Sequence, residues 1–149
     1  MSLQTKVMDA LKEAMKAKDT IALESLRAIK SAILLAKTEA GAAAELAEEE
    51  ELKLLQKLVK QRKDSAALYA QQGRNDLAEP ELAQVAVIEK FLPKQLSEAE
   101  VTEVVKAIIA EVGATSAKDM GKVMGVATKQ LAGKTDGKVI SAIVKSLLA

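Results

Sequence analysis

The stretch with the most concentrated chemistry is GKVMGVATKQLAGKTDGK, residues 121–138. It holds four glycines and four lysines, and no histidine or aromatic residue. A lysine ammonium can hold a phosphate as a point charge, and glycine lets a backbone come close to a ligand. Three readings follow: a phosphate-gripping loop, a nucleic-acid surface, or two helices joined by a turn. A phosphate-binding loop reads G-x-x-x-x-G-K-[ST] and follows a strand. Here TKQLAGKT has Thr128 where the first glycine must stand, and a helical pattern precedes it. Backbone amides cannot wrap phosphates from that arrangement.

The helical reading orders these residues better. Met120, Val123, Met124, Ala127 and Leu131 recur at the spacing of one helix face. At about 100° per residue, Lys118, Lys122 and Lys129 fall on the opposite face, with Gly121 and Gly125 at its flank. A glycine inside a helix costs about 1 kcal/mol relative to alanine, so two of them ask for a reason. Close packing of a neighbouring helix is one. Close approach of a partner's sugar-phosphate backbone is the other. The next helix carries Val139, Ile140, Ile143, Val144 and Leu147 inward and Lys138 and Lys145 outward, with Lys134 in the turn before it. Residues 113–149 hold six lysines against Asp119 and Asp136, a local excess of +4 in a chain of net charge +1. Such an excess fits a polyanion binder, and it also fits an ordinary solvated face. Lys118, Lys122, Lys129, Lys134 and Lys138 are the candidate nucleic-acid contacts, with Gly121 and Gly125 as close-approach positions.

A second basic cluster lies in KLVKQRKDSAALY, residues 57–69. Leu52, Leu55, Val59, Arg62, Ala66 and Tyr69 form a helical stripe, so Arg62 sits among apolar positions. A guanidinium there is either paired with a carboxylate of a neighbouring helix or held rigid for phosphate. Lys63 and Arg74 join it as candidate contacts, and Arg27 and Lys30 are further candidates. Tyr69 and Phe91 are the only aromatics in the chain. Base stacking is therefore not expected, and contacts to shape and backbone are the mode to look for.

The elements that position these groups all read as helices. Leu3, Val7, Leu11 and Met15 mark the inner face of the first. Asp19 or Thr20 caps a second, which turns Leu26, Ile29 and Ile33 inward. AGAAAELAEEEE links it to a third, where Glu48 to Glu51 suit the positive end of the helix dipole. That helix ends near Gln72, before Gly73. Asp76 starts a fourth, with Glu79 placed for a capping box and Pro80 as the fourth helical residue. It runs to about Phe91, and Pro93 stops it. Ser97 with Glu100 opens a fifth, to about Val112. Ser116 caps a sixth, ending near Ala132, and Asp136 caps the last. The expectation is an all-α chain of about seven helices. It forms two lobes, an N-terminal bundle over 1–92 and a smaller three-helix bundle over 97–149.

Composition narrows the chemistry. With no histidine and no cysteine, Ser-His and Cys-His catalysis and thiolate metal sites are absent. A Ser-Lys pair involving Ser65 is open by composition, but no spacing supports it. Glu48 to Glu51 reads as a helix N-terminal acid cluster, so no metal and no cofactor is expected. No apolar run approaches membrane length, and MSLQTKVMDALKEAMK lacks the core of a signal peptide. The cytoplasm is the expected location.

Four phrases in order carry a family resemblance: LRAIKSAI, KQRKDSAALYAQQGRNDLAEPE, FLPKQLSEAE and KDMGKVMGVATKQLAGKTDGKVISAIVKSLL. Together they resemble the YqeY-like family over essentially the whole chain. That family is related to the C-terminal tail of the B subunit of the tRNA-dependent amidotransferase. The resemblance implies a bacterial, all-helical, two-lobed protein. It also implies tRNA as partner, through a tail that holds the outer body of the tRNA while chemistry occurs elsewhere. Lys122, Lys129 and Lys134 stand in the matching motif. The amidotransferase tail more often has Asn-Pro where this chain has Asp136-Gly137, which groups it with the stand-alone members. The family is associated with carbon–nitrogen ligase activity using glutamine as amido donor. This chain shows no amidase or nucleotide-binding signature for that activity. The reading is an accessory tRNA-binding module acting with an amidotransferase or a synthetase. The alternative is a helical protein–protein adaptor.

Overall fold

The computed structural model describes residues 2–41 and 45–149, and among these there are seven α-helices and no strand. The chain is all-α, as its periodicity indicates. It divides into two compact units, residues 1–92 and 93–149.

The first unit holds α1 (Leu3–Ala17), α2 (Thr20–Ala40), α3 (Glu48–Gln71) and α4 (Asn75–Glu89). On α1 the buried stripe is Leu3, Val7, Leu11 and Ala14, while Met15 is 54% exposed. The reason is angular. Steps of four residues drift by about 40° each, so Met15 has rotated about 120° from Leu3, whereas Ala14 has returned to about 20°. Lys18 ends α1 in the left-handed conformation at φ 56°, and Asp19 then caps α2 by accepting from the Ala22 N–H at 3.1 Å. Ile29, Leu55 and Ile88, from α2, α3 and α4, are almost completely buried in one aliphatic core. Residues 42–44 of the α2–α3 linker lie outside the described residues.

Two expectations about α4 need correction. Asp76 does not cap it, and Glu79 forms no capping box. The helix begins at Asn75 behind Arg74, with no side-chain cap bond. Asp76 sits in the first turn and is engaged by Arg74 instead: Arg74 Nε donates to Oδ1 at 3.0 Å and Nη2 to Oδ2 at 2.9 Å. Pro80 is therefore the sixth helical residue, and the carbonyl it cannot serve is that of Asp76 at the exposed end.

The second unit holds α5 (Glu98–Val112), a 3₁₀ turn (Ala117–Asp119), α6 (Met120–Gln130) and α7 (Gly137–Leu148). Its core is a single cluster of Val101, Val105 and Ile108 from α5, Val123 and Ala127 from α6, Leu131 just past it, and Ile140, Val144 and Leu148 from α7. On α7 the fully inward positions are Ile140, Val144 and Leu148, and the expected Val139, Ile143 and Leu147 are half-buried. Ser116 caps the 3₁₀ turn rather than a longer sixth helix, through a 3.4 Å bond from the Lys118 N–H. Lys118 thus stands outside the register of α6, which ends at Gln130 instead of near Ala132.

The capping box of α5 is complete. Ser97 Oγ accepts from the Glu100 N–H at 3.2 Å, and Glu100 Oε1 accepts from the Ser97 N–H at 3.2 Å. The Ser97 backbone N–H, then its side chain, hold the Glu100 carboxyl below the usual range. A depressed folded pKa gives stability that is complete above the unfolded value and lost as pH falls through the folded one. Glu100→Gln keeps both capping bonds but has no proton to gain. Between about pH 6 and about pH 3, its urea midpoint should fall less than the parent's. An equal fall would assign the acid sensitivity to other carboxylates.

Candidate nucleic-acid interface

The lysine-rich surface is built by the way this part of the chain uses its acids. Residues 113–149 contain two carboxylates, and both are occupied by backbone N–H groups. Asp119 Oδ2 accepts from the Thr115 N–H at 3.0 Å, and Asp136 Oδ1 accepts from the Lys138 N–H at 3.1 Å. The Asp136 bond caps α7, and the Asp119 bond closes the loop ahead of the 3₁₀ turn. Among the described residues, Lys118, Lys122, Lys129, Lys134 and Lys138 make no ion pair. By contrast Lys106, on α5, lies 3.6 Å from Glu103. Four of the five are exposed, and Lys134 is half-buried. Lys138 stands in the first turn of α7, where the helix dipole disfavours a cation unless an anion is near.

On α6 the exposed residues Gly121, Lys122, Gly125, Thr128 and Lys129 share about 120° of the helix circumference, opposite buried Val123 and Ala127. Gly121 and Gly125 have helical backbones, and a Cβ built on either meets nothing within 4 Å. Close packing by a neighbouring helix does not account for them. What they do is flatten the helix surface beside the lysines.

The turn that carries Lys134 is pinned by a segment whose role the sequence pattern does not announce. The Leu96 N–H donates to the Lys134 carbonyl at 2.9 Å. Gln95 Nε2 donates to the Gly133 carbonyl at 2.6 Å and to the Pro93 carbonyl at 2.9 Å. Gly133 holds φ at 75°, the left-handed conformation glycine tolerates. The available signal was a glutamine with two donors placed between a proline and a capping box.

Three candidate cations of the first unit, Arg62, Lys63 and Arg74, are engaged within the chain, whereas Arg27 is exposed and Lys30 half-buried. Arg62 is half-buried on its apolar stripe, as its spacing implies, but its partner is not a carboxylate. Its Nε donates to Gln84 Oε1 at 2.8 Å and its Nη1 to the Leu58 carbonyl at 3.2 Å. Gln84 Nε2 in turn donates to Glu24 Oε2 at 3.2 Å, so one relay links α3, α4 and α2. Lys63 pairs with Glu89 at 3.4 Å. Arg74 makes its two-pronged contact with Asp76, which raises the pKa of the guanidinium and lowers that of the carboxyl. Among the described residues there is no cluster of acids that could hold a metal ion, and no helix long and apolar enough to cross a membrane.

The sequence model of the Yqey-like protein family matches residues 4–148, from α1 through α7. One relative is "Altered inheritance of mitochondria protein 41, mitochondrial" of Clavispora lusitaniae. It is 37% identical over 109 residues, which cover 72% of this chain and 62% of that protein. The chain thus matches less than two-thirds of that relative's length.

Two variants follow from the open space at the glycines. Gly121→Ala and Gly125→Ala should each raise stability by up to about 1 kcal/mol, because the backbone is helical and nothing obstructs the new methyl group. The check is a denaturant midpoint for each variant. Destabilisation by either would show that the glycine backbone is needed for the fold itself.

Proposed function

The chain belongs to the Yqey-like protein family, and from that membership we propose that it is an accessory tRNA-binding module whose lysine-rich second unit grips the folded shape and backbone of tRNA. The observation that supports this is the state of the lysines. Among the described residues, five cations within residues 118–138 have no carboxylate partner, while both acids of the stretch are bound to backbone amides. A surface in that state attracts a polyanion through counterion release. The resemblance of residues 121–148 to the amidotransferase tail points the same way. In this proposal the protein contributes binding and positioning, and an amidotransferase or a synthetase performs the chemistry. Cytoplasmic location and a bacterial source belong to the proposal. The word "mitochondrial" belongs to the name of the fungal relative.

A protein–protein adaptor is the second reading, and one observation favours it. A groove of about 360 Å³ runs between α3 and α4, lined by buried Ala66 and Ala78, exposed Ala67 and Ala70, and half-exposed Leu82. An apolar groove of this kind can take the apolar face of a partner helix.

The two readings separate on the lysines. Lys122, Lys129 and Lys138 are exposed, so changing all three to alanine should shift stability by no more than about 0.5 kcal/mol each. Affinity for tRNA in filter binding should drop. The slope of log affinity against log salt should become shallower by up to about 0.9 for each phosphate that is no longer neutralised. The drop should be similar across tRNAs of different sequence, because backbone contacts carry no sequence information. A triple variant that binds tRNA with the parent's affinity and salt slope would leave the lysines as solvation only, and the groove between α3 and α4 would become the site to pursue.

A further inference from the structure

The second unit has a restricted chemical vocabulary. All three arginines and both aromatic residues lie in residues 1–92. Residues 93–149 meet a partner with lysines, carboxylates, hydroxyls, the amides of Gln95 and Gln130, backbone and aliphatic groups, without a guanidinium or a ring. Stacking on unpaired bases needs aromatic rings or guanidinium planes. A surface without these groups is unsuited to single-stranded loops. What lysines and hydroxyls can address is phosphate and the ribose 2′-hydroxyl.

The geometry of α6 is specific to that pairing. Lys122 and Lys129 are seven residues apart, about 10 Å along the helix axis, and point the same way. Side chains so spaced can reach separate phosphates. Gly125 lies between them, and Gly121 and Thr128 lie toward the other edge of the face, all exposed. The Thr128 hydroxyl is available. Thr38 and Thr102 donate to the carbonyl four residues back, at 2.8 and 2.7 Å, whereas Thr128 makes no such bond among the described residues.

We infer that the ligand of this face is an A-form RNA duplex, met across its minor groove. Lys122 and Lys129 lie on phosphates, the Thr128 hydroxyl lies on a ribose 2′-hydroxyl, and the flat surface at Gly121 and Gly125 seats the helix in the shallow groove. This rests on the tRNA-binding reading and names which part of an RNA the face takes. The wide minor groove of A-form RNA displays its 2′-hydroxyls, and duplex RNA is recognised there by shape and sugar contacts.

The test is direct binding at one salt concentration to three probes of equal length. They are a blunt RNA duplex, an unstructured single-stranded RNA, and the same duplex made with deoxyribose. The RNA duplex should bind about tenfold more tightly than either of the others. Thr128→Val should narrow the gap between RNA and DNA duplexes while leaving DNA affinity unchanged. Gly125→Leu, which fits the open space within the chain, should weaken binding of the RNA duplex most. Equal binding of all three probes, or preference for the single strand, overturns this inference and leaves a general RNA-binding module standing. A duplex preference that survives Thr128→Val and Gly125→Leu unchanged overturns it too, by moving the contact off this face. Failure to bind any probe, or tRNA, overturns the tRNA-binding reading together with this one.

Discussion

Narrow aliphatic stripes hold every helix of this protein, and the rest of the structure follows from how little surface such stripes cover. The second unit is closed by valines, isoleucines, leucines and one alanine, with no ring among them. A valine or alanine buries less than a large aromatic, so each helix must be held by several small contacts in register. On α6 only Val123 and Ala127 are fully buried within the helix, and Leu131 completes the stripe one residue beyond it. Met120, Met124 and Val126 pack partly against the same core, and the face of Gly121, Lys122, Gly125, Thr128 and Lys129 is left to solvent or a partner. A broad polar face is thus a consequence of the core's composition before it is a feature of function.

That broad face carries lysines that make no ion pair among the described residues, while the nearby aspartates are bound to backbone amides. α5 begins on Ser97, α7 on Asp136, and the 3₁₀ turn before α6 on Ser116, with Asp119 reaching back to the Thr115 N–H. Each carboxylate so used satisfies an amide that would otherwise be orphaned. The first unit shows the other outcome. There Asp64, Asp76 and Glu89 face cations directly, and Lys60, Arg74 and Lys63 are neutralised inside the fold. The chain's net charge of +1 conceals this difference between its units.

The helices were legible because periodicity and caps agree along most of the chain. Ser97 with Glu100, Asp19, Asp136 and the glycine after α5 each stand where the structure uses them. The failures have local causes. At α4, Asp76 has the type and spacing of a cap, but the arginine two residues earlier offers its carboxylate a forked partner. At Ser116 the capping residue was right, and the turn it caps was 3₁₀, which moved Lys118 out of the α6 register. Arg62 was correctly placed on its stripe. Its partner was not readable, because Gln84 and Glu24 come from other helices and no spacing along one chain reports their meeting. Periodicity reports one helix at a time, and a relay across three helices lies beyond it.

The same limit explains why the lysine face could be drawn from sequence but not its availability. Spacing puts Lys122 and Lys129 on one side of α6. Whether they are free depends on where Asp119 and Asp136 point, and whether Gly121 and Gly125 are crowded depends on which helix passes nearby. Both are tertiary facts. The aspartates point at amides, and no atom of the chain comes within 4 Å of a Cβ placed on either glycine. Two interior glycines that lower helix propensity and relieve no internal crowding leave a stability gain unrealised, of a size that single substitutions to alanine readily supply. A function that brings another backbone against this face would account for keeping them, and a merely solvated lysine face would not.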